Sequence, residues 1–328
     1  MKALVYDAVE RLAYRDMPDP QPGPGQCLIQ VQASGICGSD MHAYLGHDER
    51  RPAPLILGHE AAGVVVGGAR DGERVTINPL VSCGRCRACV AGRDNLCPER
   101  MIISMPPRDG AFAEQVVMRA ANLVTVPDDV PLRIAALAEP LACGWHAVRL
   151  GAAALDLPLC DARCLVIGGG AIGVGAALSL RAFGATDIHV VEPNEIRRAA
   201  LDKIDGFHAV APGTVQDADL IIDGVGYAAT RATATAIARP GGIIMHIGLG
   251  EALDGLDIRR MTLQEITFIG TYTYTAQDFR DTAQAIFDGR LGALDWTEQR
   301  PLAAGQQAFA DIRAGRVAAP KIILEPQS

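Results

Sequence analysis

Cys83, Cys86, Cys89 and Cys97 fall in the run CGRCRACVAGRDNLC with the spacing C-x2-C-x2-C-x7-C. They lie too close together for a disulfide framework, but four thiolates so spaced can close a tetrahedron around one ion, as in structural zinc sites. The other readings of such a run are a redox pair or coincidence. A closed four-thiolate site leaves no position for a substrate. This lobe, residues 83–97, therefore predicts a zinc-stabilised loop, and any reaction must be carried elsewhere.

A second constellation is suited to binding a dinucleotide. The apolar run CLVIG leads into GGGAIG, which sets Gly168, Gly170 and Gly173 in G-x-G-x-x-G spacing, with Ala171 and Ile172 opening the next element. On its own the spacing is weak evidence. Here it follows a strand-like run, opens a helix-like one, and has Glu192 at the end of the following strand-like run. Glycines at this turn let a pyrophosphate approach the helix N-terminus, whose free N–H groups favour an anion; the bland alternative is that they only permit helix-on-strand packing. A carboxylate at Glu192 accepts from the ribose diol of NAD and repels the extra phosphate of NADP. Arg197 and Arg198, just beyond it, are the residue type that would hold that phosphate instead. Val225, Ile247 and Leu249 follow later strand-like runs, where the nicotinamide is expected.

Three further segments could do chemistry: Cys37-Gly-Ser39-Asp40-Met-His42, Gly58-His59-Glu60 and Ala138-Glu139-Pro140. Taken singly, each reads as core, cap or surface. Together with the four-cysteine lobe and the dinucleotide motif, they resemble the zinc-dependent medium-chain dehydrogenases, and in particular the sorbitol and polyol branch. The resemblance runs from the N-terminal strand to PKIIL. It implies a GroES-like β-rich catalytic domain plus a Rossmann domain, with the active site between them. It also implies two zinc ions per chain and a dimer or tetramer, with tetramer favoured. Carried onto this sequence, it makes Cys37 and His59 ligands of a catalytic zinc. Glu60 and Glu139 become two carboxylates, one on the metal while the other contacts its water. Ser39 is the matching relay hydroxyl and His42 the outer proton acceptor, a residue type whose pKa lies near neutrality. Asp40 is expected to cap a turn. The implied reaction interconverts a secondary alcohol and its ketone, the zinc polarising the hydroxyl while hydride passes to the nicotinamide.

The elements that must position these residues are legible as runs. The first 145 or so residues read as short strands between Gly, Pro and Asp turns, such as 2–6, 27–33, 61–67, 74–78 and 112–118. From about residue 150, strand-like and helix-like runs alternate: strands at 164–169, 187–193, 218–226 and 241–248, helices at 171–184, 194–205 and 228–238. That alternation predicts an α/β doubly wound parallel sheet. A later helix, QDFRDTAQAIFDG, precedes a tail strand expected to return to the first domain. The division is therefore 1–147 catalytic, 148–273 NAD-binding and 274–328 return.

Composition agrees with this reading. The 328 residues are 49% hydrophobic and 21% charged, so they can bury a large core. A formal net charge of −8, with no long basic run, argues against nucleic acid as a partner. The uncharged run from Cys164 to Leu180 nears membrane-span length, but its glycines suit the dinucleotide turn better. Nothing at the N-terminus resembles a signal peptide, and scattered thiols beside a thiolate site suggest a reducing cytoplasm.

Substrate choice is the least determined point. The A-E-P context resembles sorbitol, idonate and related polyol dehydrogenases. However, Thr273 stands where that branch carries an arginine near the substrate, although Tyr274 fits. Arg50, Arg51 and Arg108 lie in loops that could serve an acidic or phosphorylated substrate. The expectation is a polyol or sugar acid. The alternatives are a primary-alcohol or amino-alcohol (threonine-type) dehydrogenase on the same scaffold, or a zinc- and nucleotide-binding protein without turnover.

Overall fold

A computed structural model describes residues Met1–Gln327. The chain divides into two compact units, one formed by Met1–Glu139, Thr275–Asp288 and the chain from Thr297 on, the other by Pro140–Tyr274 and Gly289–Trp296.

The first unit is built on a seven-stranded sheet. Its order is Leu123–Thr125, Arg74–Ile77, Glu60–Val66, Gln26–Gly35, Lys321–Glu325 and Thr297–Pro301, with Gln115–Arg119 also pairing to Gln26–Gly35. Gln26–Gly35 is the organiser, because β-branched residues at alternate positions turn Ile29 and Val31 into the core while polar neighbours face out. Its antiparallel register sets Gly35 opposite both Glu60 and Ile323. Residues from near the two ends of the sequence thus meet in adjacent strands.

The second unit carries a six-stranded, wholly parallel sheet. The order is His208–Val210, Asp187–Val191, Arg163–Ile167, Ala218–Asp223, Ala238–His246 and Thr267–Gly270. Stepping outward in both directions from the strand before the glycine motif is the doubly wound arrangement that binds dinucleotides. Cys164–Ile167 and Leu220–Ile222 are buried without alternation, as expected where helices cover both faces. The uncharged Cys164–Leu180 run is accounted for by a strand, the glycine turn and the helix Ala171–Ala182. Among the described residues, no helix is long and apolar enough to cross a membrane.

Two differences from the sequence reading have local causes. The run at 194–205 is helical only over Glu195–Leu201, and a turn then leads to Gly206, whose φ of 106° no regular helix allows. The 17-residue helix Ala138–Ala154 has no periodic signal because nearly every face is buried. Pro140 sits in its first turn, where a missing N–H costs nothing.

Candidate active site and metal centres

The four-cysteine run folds into a tight lobe. Its four Sγ atoms lie within 4.8 Å of one another. Backbone N–H groups already point at the sulfurs: Cys83 N–H donates to Cys97 Sγ at 3.4 Å, and Cys86 N–H to Cys83 Sγ at 3.4 Å. Hydrogen bonds from the Arg85 and Cys86 backbone bring the Cys83 thiol down to about 7, while desolvation and the neighbouring Cys86 push Cys89 up to about 11. Four sulfurs crowded this closely, two of them accepting backbone N–H groups, are the donor set a tetrathiolate zinc site needs. The lobe is also fastened at its far side, where the Asp94 carboxylate accepts the Ala276 N–H at 3.1 Å, at the start of helix Ala276–Phe287.

Cys37, His59 and Glu60 form the second cluster, again with ligand atoms within 4.8 Å of one another. Cys37 caps the short helix Gly38–Tyr44, and its N–H donates to Asp40 Oδ2 at 3.0 Å. The other oxygen of Asp40 accepts the Gly58 N–H at 3.3 Å and lies 3.4 Å from His59 Nδ1. A single fully buried carboxylate thus ties together the segments that carry two of the three ligand candidates. Burial works against charging either partner, yet Asp40 stays below the usual carboxylate range, with His59 and Arg51 as the offsetting charges. Likewise Asp40 and Cys37 outweigh burial and hold the imidazole of His59 well above its ordinary value. With Nδ1 facing Asp40, Nε2 is the atom left to a metal, the usual carboxylate–histidine–metal order.

Glu60 has the strongest structural signature. It is fully buried, and its Oε1 takes a 2.6 Å ion pair from Lys321, whose Nζ also donates to Ile36 O at 2.8 Å. Burial opposes the charge on Lys321, but Glu60 and then Cys37 hold its pKa above the ordinary value. The other oxygen, Oε2, is buried with no hydrogen-bond partner among the described residues. An added Cβ on Gly35 would lie 2.0 Å from that atom, so only glycine leaves room for it. An orphaned carboxylate oxygen beside a thiol and an imidazole fits zinc, since a buried acceptor otherwise costs about 1–3 kcal/mol.

Glu139 stands apart from this cluster. It is buried in the first turn of Ala138–Ala154 and near enough to Lys321 to favour its charge, but it lies outside the three-residue group. Ser39 Oγ lies 3.4 Å from His59 Nε2. His42 is half-buried in the last turn of the same helix, its ring centroid 6.3 Å from that of the exposed His47.

The dinucleotide motif sits where the sheet order predicts it should. Gly168 has φ 102°, and a Cβ on Gly173 would meet Gly168 O at 1.8 Å, which explains two of the three glycines. Gly170 caps the helix opened by Ala171 and Ile172, with open space where its Cβ would be. Glu192 is buried at the end of its strand, accepting N–H groups from Gly169 at 3.0 Å and Asn194 at 2.9 Å, with Arg197 Nη1 at 3.6 Å. Val225 belongs to a loop fixed by the fully buried Asp223, which accepts the Val225 and Gly226 N–H groups. The Ile247 N–H donates to Asp223 O, whereas Leu249 is 70% exposed.

Sequence reasoning missed Lys321, Ser104 and Asp223 and gave Asp40 only a capping role. Lys321 lies in the tail run PKIIL, and the only signal it carried was a charge inside an apolar strand.

Residues 23–128 match the family described as alcohol dehydrogenase GroES-like domain, and residues 171–288 that described as zinc-binding dehydrogenase. A sorbitol dehydrogenase from Arabidopsis thaliana is 32% identical over 281 residues, which is 78% of this chain and 76% of that protein. "Probable D-xylulose reductase A" from Neosartorya fischeri is 29% identical over 96% of this chain and 94% of its own length. Among solved structures, an Escherichia coli oxidoreductase/dehydrogenase of unknown specificity superposes with a TM-score of 0.90 at 25% identity, covering 99% of this chain and 98% of that one. With the two thiol-bearing centres and the glycine turn in place, these likenesses establish that the chain belongs to the zinc-dependent medium-chain dehydrogenases, in their sorbitol/polyol branch, and is an oxidoreductase that uses zinc and a nicotinamide cofactor.

Proposed function

We propose that this enzyme oxidises a neutral polyol at a secondary hydroxyl, giving the ketose and NADH plus a proton, and that it runs the reverse reduction. The observation that carries the reading is the buried, unpartnered Glu60 Oε2 beside Cys37 and His59, with Gly35 leaving it room. Cys37, His59 and Glu60 would hold a catalytic zinc, with Glu139, close enough to Lys321 to favour its charge, as the second carboxylate. When bound, the ion supplies Lewis acidity that eases loss of the hydroxyl proton. Cys83, Cys86, Cys89 and Cys97 would hold the second, structural zinc.

The chain's own groups do the rest. Ser39 is placed to accept the substrate's proton and His42, one helical turn on, to pass it to solvent. The N-terminus of Ala171–Ala182 receives the pyrophosphate through Gly168, Gly170 and Gly173. Glu192 accepts from the ribose diol and disfavours a 2′-phosphate, so NAD is preferred over NADP; Arg197, already drawn to Glu192, flanks the ribose. Val225, Ile247 and Leu249 line the nicotinamide.

Neutral substrate is favoured over acidic because the candidate anion anchors are engaged. Arg51 is buried against Asp48, Arg108 donates to Val117 O, and Arg50 pairs with Asp48. The names of the sorbitol and xylulose relatives point the same way. A homodimer or homotetramer fits the sheet of the second unit, which ends on Thr267–Gly270 with no further strand among the described residues. Thiol-rich metal sites suit a reducing cytoplasm.

The test is NADH formation with pentitols, hexitols, aldonates, threonine and simple secondary alcohols, NAD and NADP compared throughout, beside light scattering for assembly. Turnover of a pentitol or hexitol with NAD is expected. Activity confined to aldonates, threonine or primary alcohols overturns the neutral-polyol assignment.

A further inference from the structure

We propose that Arg51 is a positioning residue for the catalytic centre: its guanidinium holds, by their backbone carbonyls, the two serines whose hydroxyls flank His59. The inference rests on the reading of His59 as ligand and Ser39 as relay.

Arg51 is 2% exposed, a rare state for arginine unless its donors are satisfied. Its Nη1 donates to Asp48 Oδ2 at 2.9 Å, a carboxylate shared with Arg50, and Asp40 is a second negative charge nearby. The remaining bonds are less expected. Nε donates to Ser104 O at 3.0 Å, and Nη1 donates to Ser39 O at 3.3 Å. These two serines are remote in sequence, yet their side chains meet at one ring. Ser39 Oγ lies 3.4 Å from His59 Nε2, and Ser104 Oγ lies 3.3 Å from His59 Nδ1. One guanidinium thus holds by their carbonyls the two residues whose hydroxyls stand on either side of the imidazole, Ser104 at Nδ1 and Ser39 beside Nε2, the atom left to a metal.

The backbone shows that the arrangement is imposed. Ser104 has φ 66°, a left-handed conformation that a non-glycine residue keeps only when its surroundings require it. The Nε–H donated to its carbonyl is one such requirement. A planar fork can span two carbonyls and a carboxylate at fixed angles, whereas an ammonium on a flexible stem cannot. A cation needed only for charge balance would be satisfied by Asp48 and Asp40. The geometry gives Arg51 a second task, keeping the relay hydroxyl and the imidazole in register, where small displacements weaken catalysis.

The experiment compares Arg51→Met, Arg51→Lys and Ser104→Gly with the unaltered enzyme, each zinc-loaded and, in parallel, with cobalt(II) exchanged into the catalytic site. Arg51→Lys is expected to retain thermal stability but to lose about tenfold in kcat, with KM for NAD changed by less than about twofold. Its cobalt d–d bands should shift, because the imidazole of His59 is no longer braced from both sides. Arg51→Met should show the same changes more strongly; should it fail to fold, Arg51→Lys carries the test. Ser104→Gly suits the left-handed backbone, so it should fold normally and reproduce the band shift with a smaller kcat loss. Wild-type kcat and wild-type cobalt bands in Arg51→Lys overturn the proposal. A Ser39→Ala enzyme with undiminished kcat overturns the relay assignment and not the clamp, which the cobalt bands of Arg51→Lys judge independently.

Discussion

The two thiol-bearing centres of this enzyme are built on opposite plans. The lobe draws all four candidate ligands from one short segment, braces the sulfurs with its own backbone N–H groups, and leaves three of the four cysteines partly exposed. The other cluster takes Cys37 from a helix cap and His59 and Glu60 from the start of a strand, and it is surrounded by buried charges from distant parts of the chain. A site that only has to hold an ion can be local and self-contained. One that must keep an ion open to substrate needs ligands held from outside, since unsupported ligands would close around the metal.

The sharpest way to break this comparison is Cys37→Ser. It should lower kcat/KM at least about a thousandfold, the several kcal/mol that a Lewis-acid centre contributes. Elemental analysis should then find one zinc per chain, still in the lobe. Two zincs per chain in that variant would mean that Cys37 is not a ligand.

Lys321→Met probes the external support. Removing one member of a buried ion pair costs about 3–5 kcal/mol, because the remaining charge is left uncompensated. The loss should be near that figure in zinc-free protein and clearly smaller after zinc loading, since the ion replaces the missing positive charge beside Glu60. Equal losses in both states, measured by denaturant unfolding, would dissociate Glu60 from the metal.

Cys97→Ser tests the self-contained plan. Cys97 is fully buried, and losing the lobe zinc should cost about 2–3 kcal/mol, with Tm lower by roughly 5–10 °C. At temperatures where the variant stays folded, kcat should remain within about threefold of the unaltered enzyme. A collapse of kcat at full stability would show that the lobe reaches the active site, with the Asp94 bond to Ala276 as the route to examine.

The smallest effect lies outside both centres and calibrates them. Arg70 and then Thr125 bring the Glu73 carboxyl down to about 2, on a partly exposed surface where such pairs are worth less than about 1 kcal/mol. A depressed folded-state pKa stabilises above the unfolded value of about 4.3 and loses that contribution as pH falls towards 2. Glu73→Gln should therefore be slightly less stable at pH 7, with the gap closing below about pH 5. A gap that persists to low pH would assign the effect to packing.

The same contrast explains what could be read from the sequence. The lobe was legible from spacing alone, because its ligands are neighbours. The glycine motif was legible because strand, turn and helix are consecutive, and Glu192 closes the next strand. Cys37, His59 and Glu60 became a site only through a family resemblance, since nothing local relates residue 37 to residue 60. Lys321 showed only as a charge at the head of an apolar strand, with nothing to name its partner. It reaches Glu60 because the register stacks Ile323, Gly35 and Glu60 across three strands, a relation fixed by long-range pairing. Ser104 escaped for the same reason, and Arg51, read from the sequence as a possible anion anchor, instead binds the carbonyls of Ser39 and Ser104 from a separate loop. The helix Ala138–Ala154 escaped for another, having no polar face to mark its period.

The late strand Lys321–Glu325 also bears on biosynthesis. The nucleotide-binding sheet lies within one continuous stretch and can assemble while the ribosome is still at work. The catalytic sheet lacks an interior strand, and Glu60 lacks its ammonium partner, until the tail has left the exit tunnel. A chain lacking Lys321–Glu325 would therefore keep the nucleotide-binding sheet intact while leaving Glu60 buried without its ammonium partner.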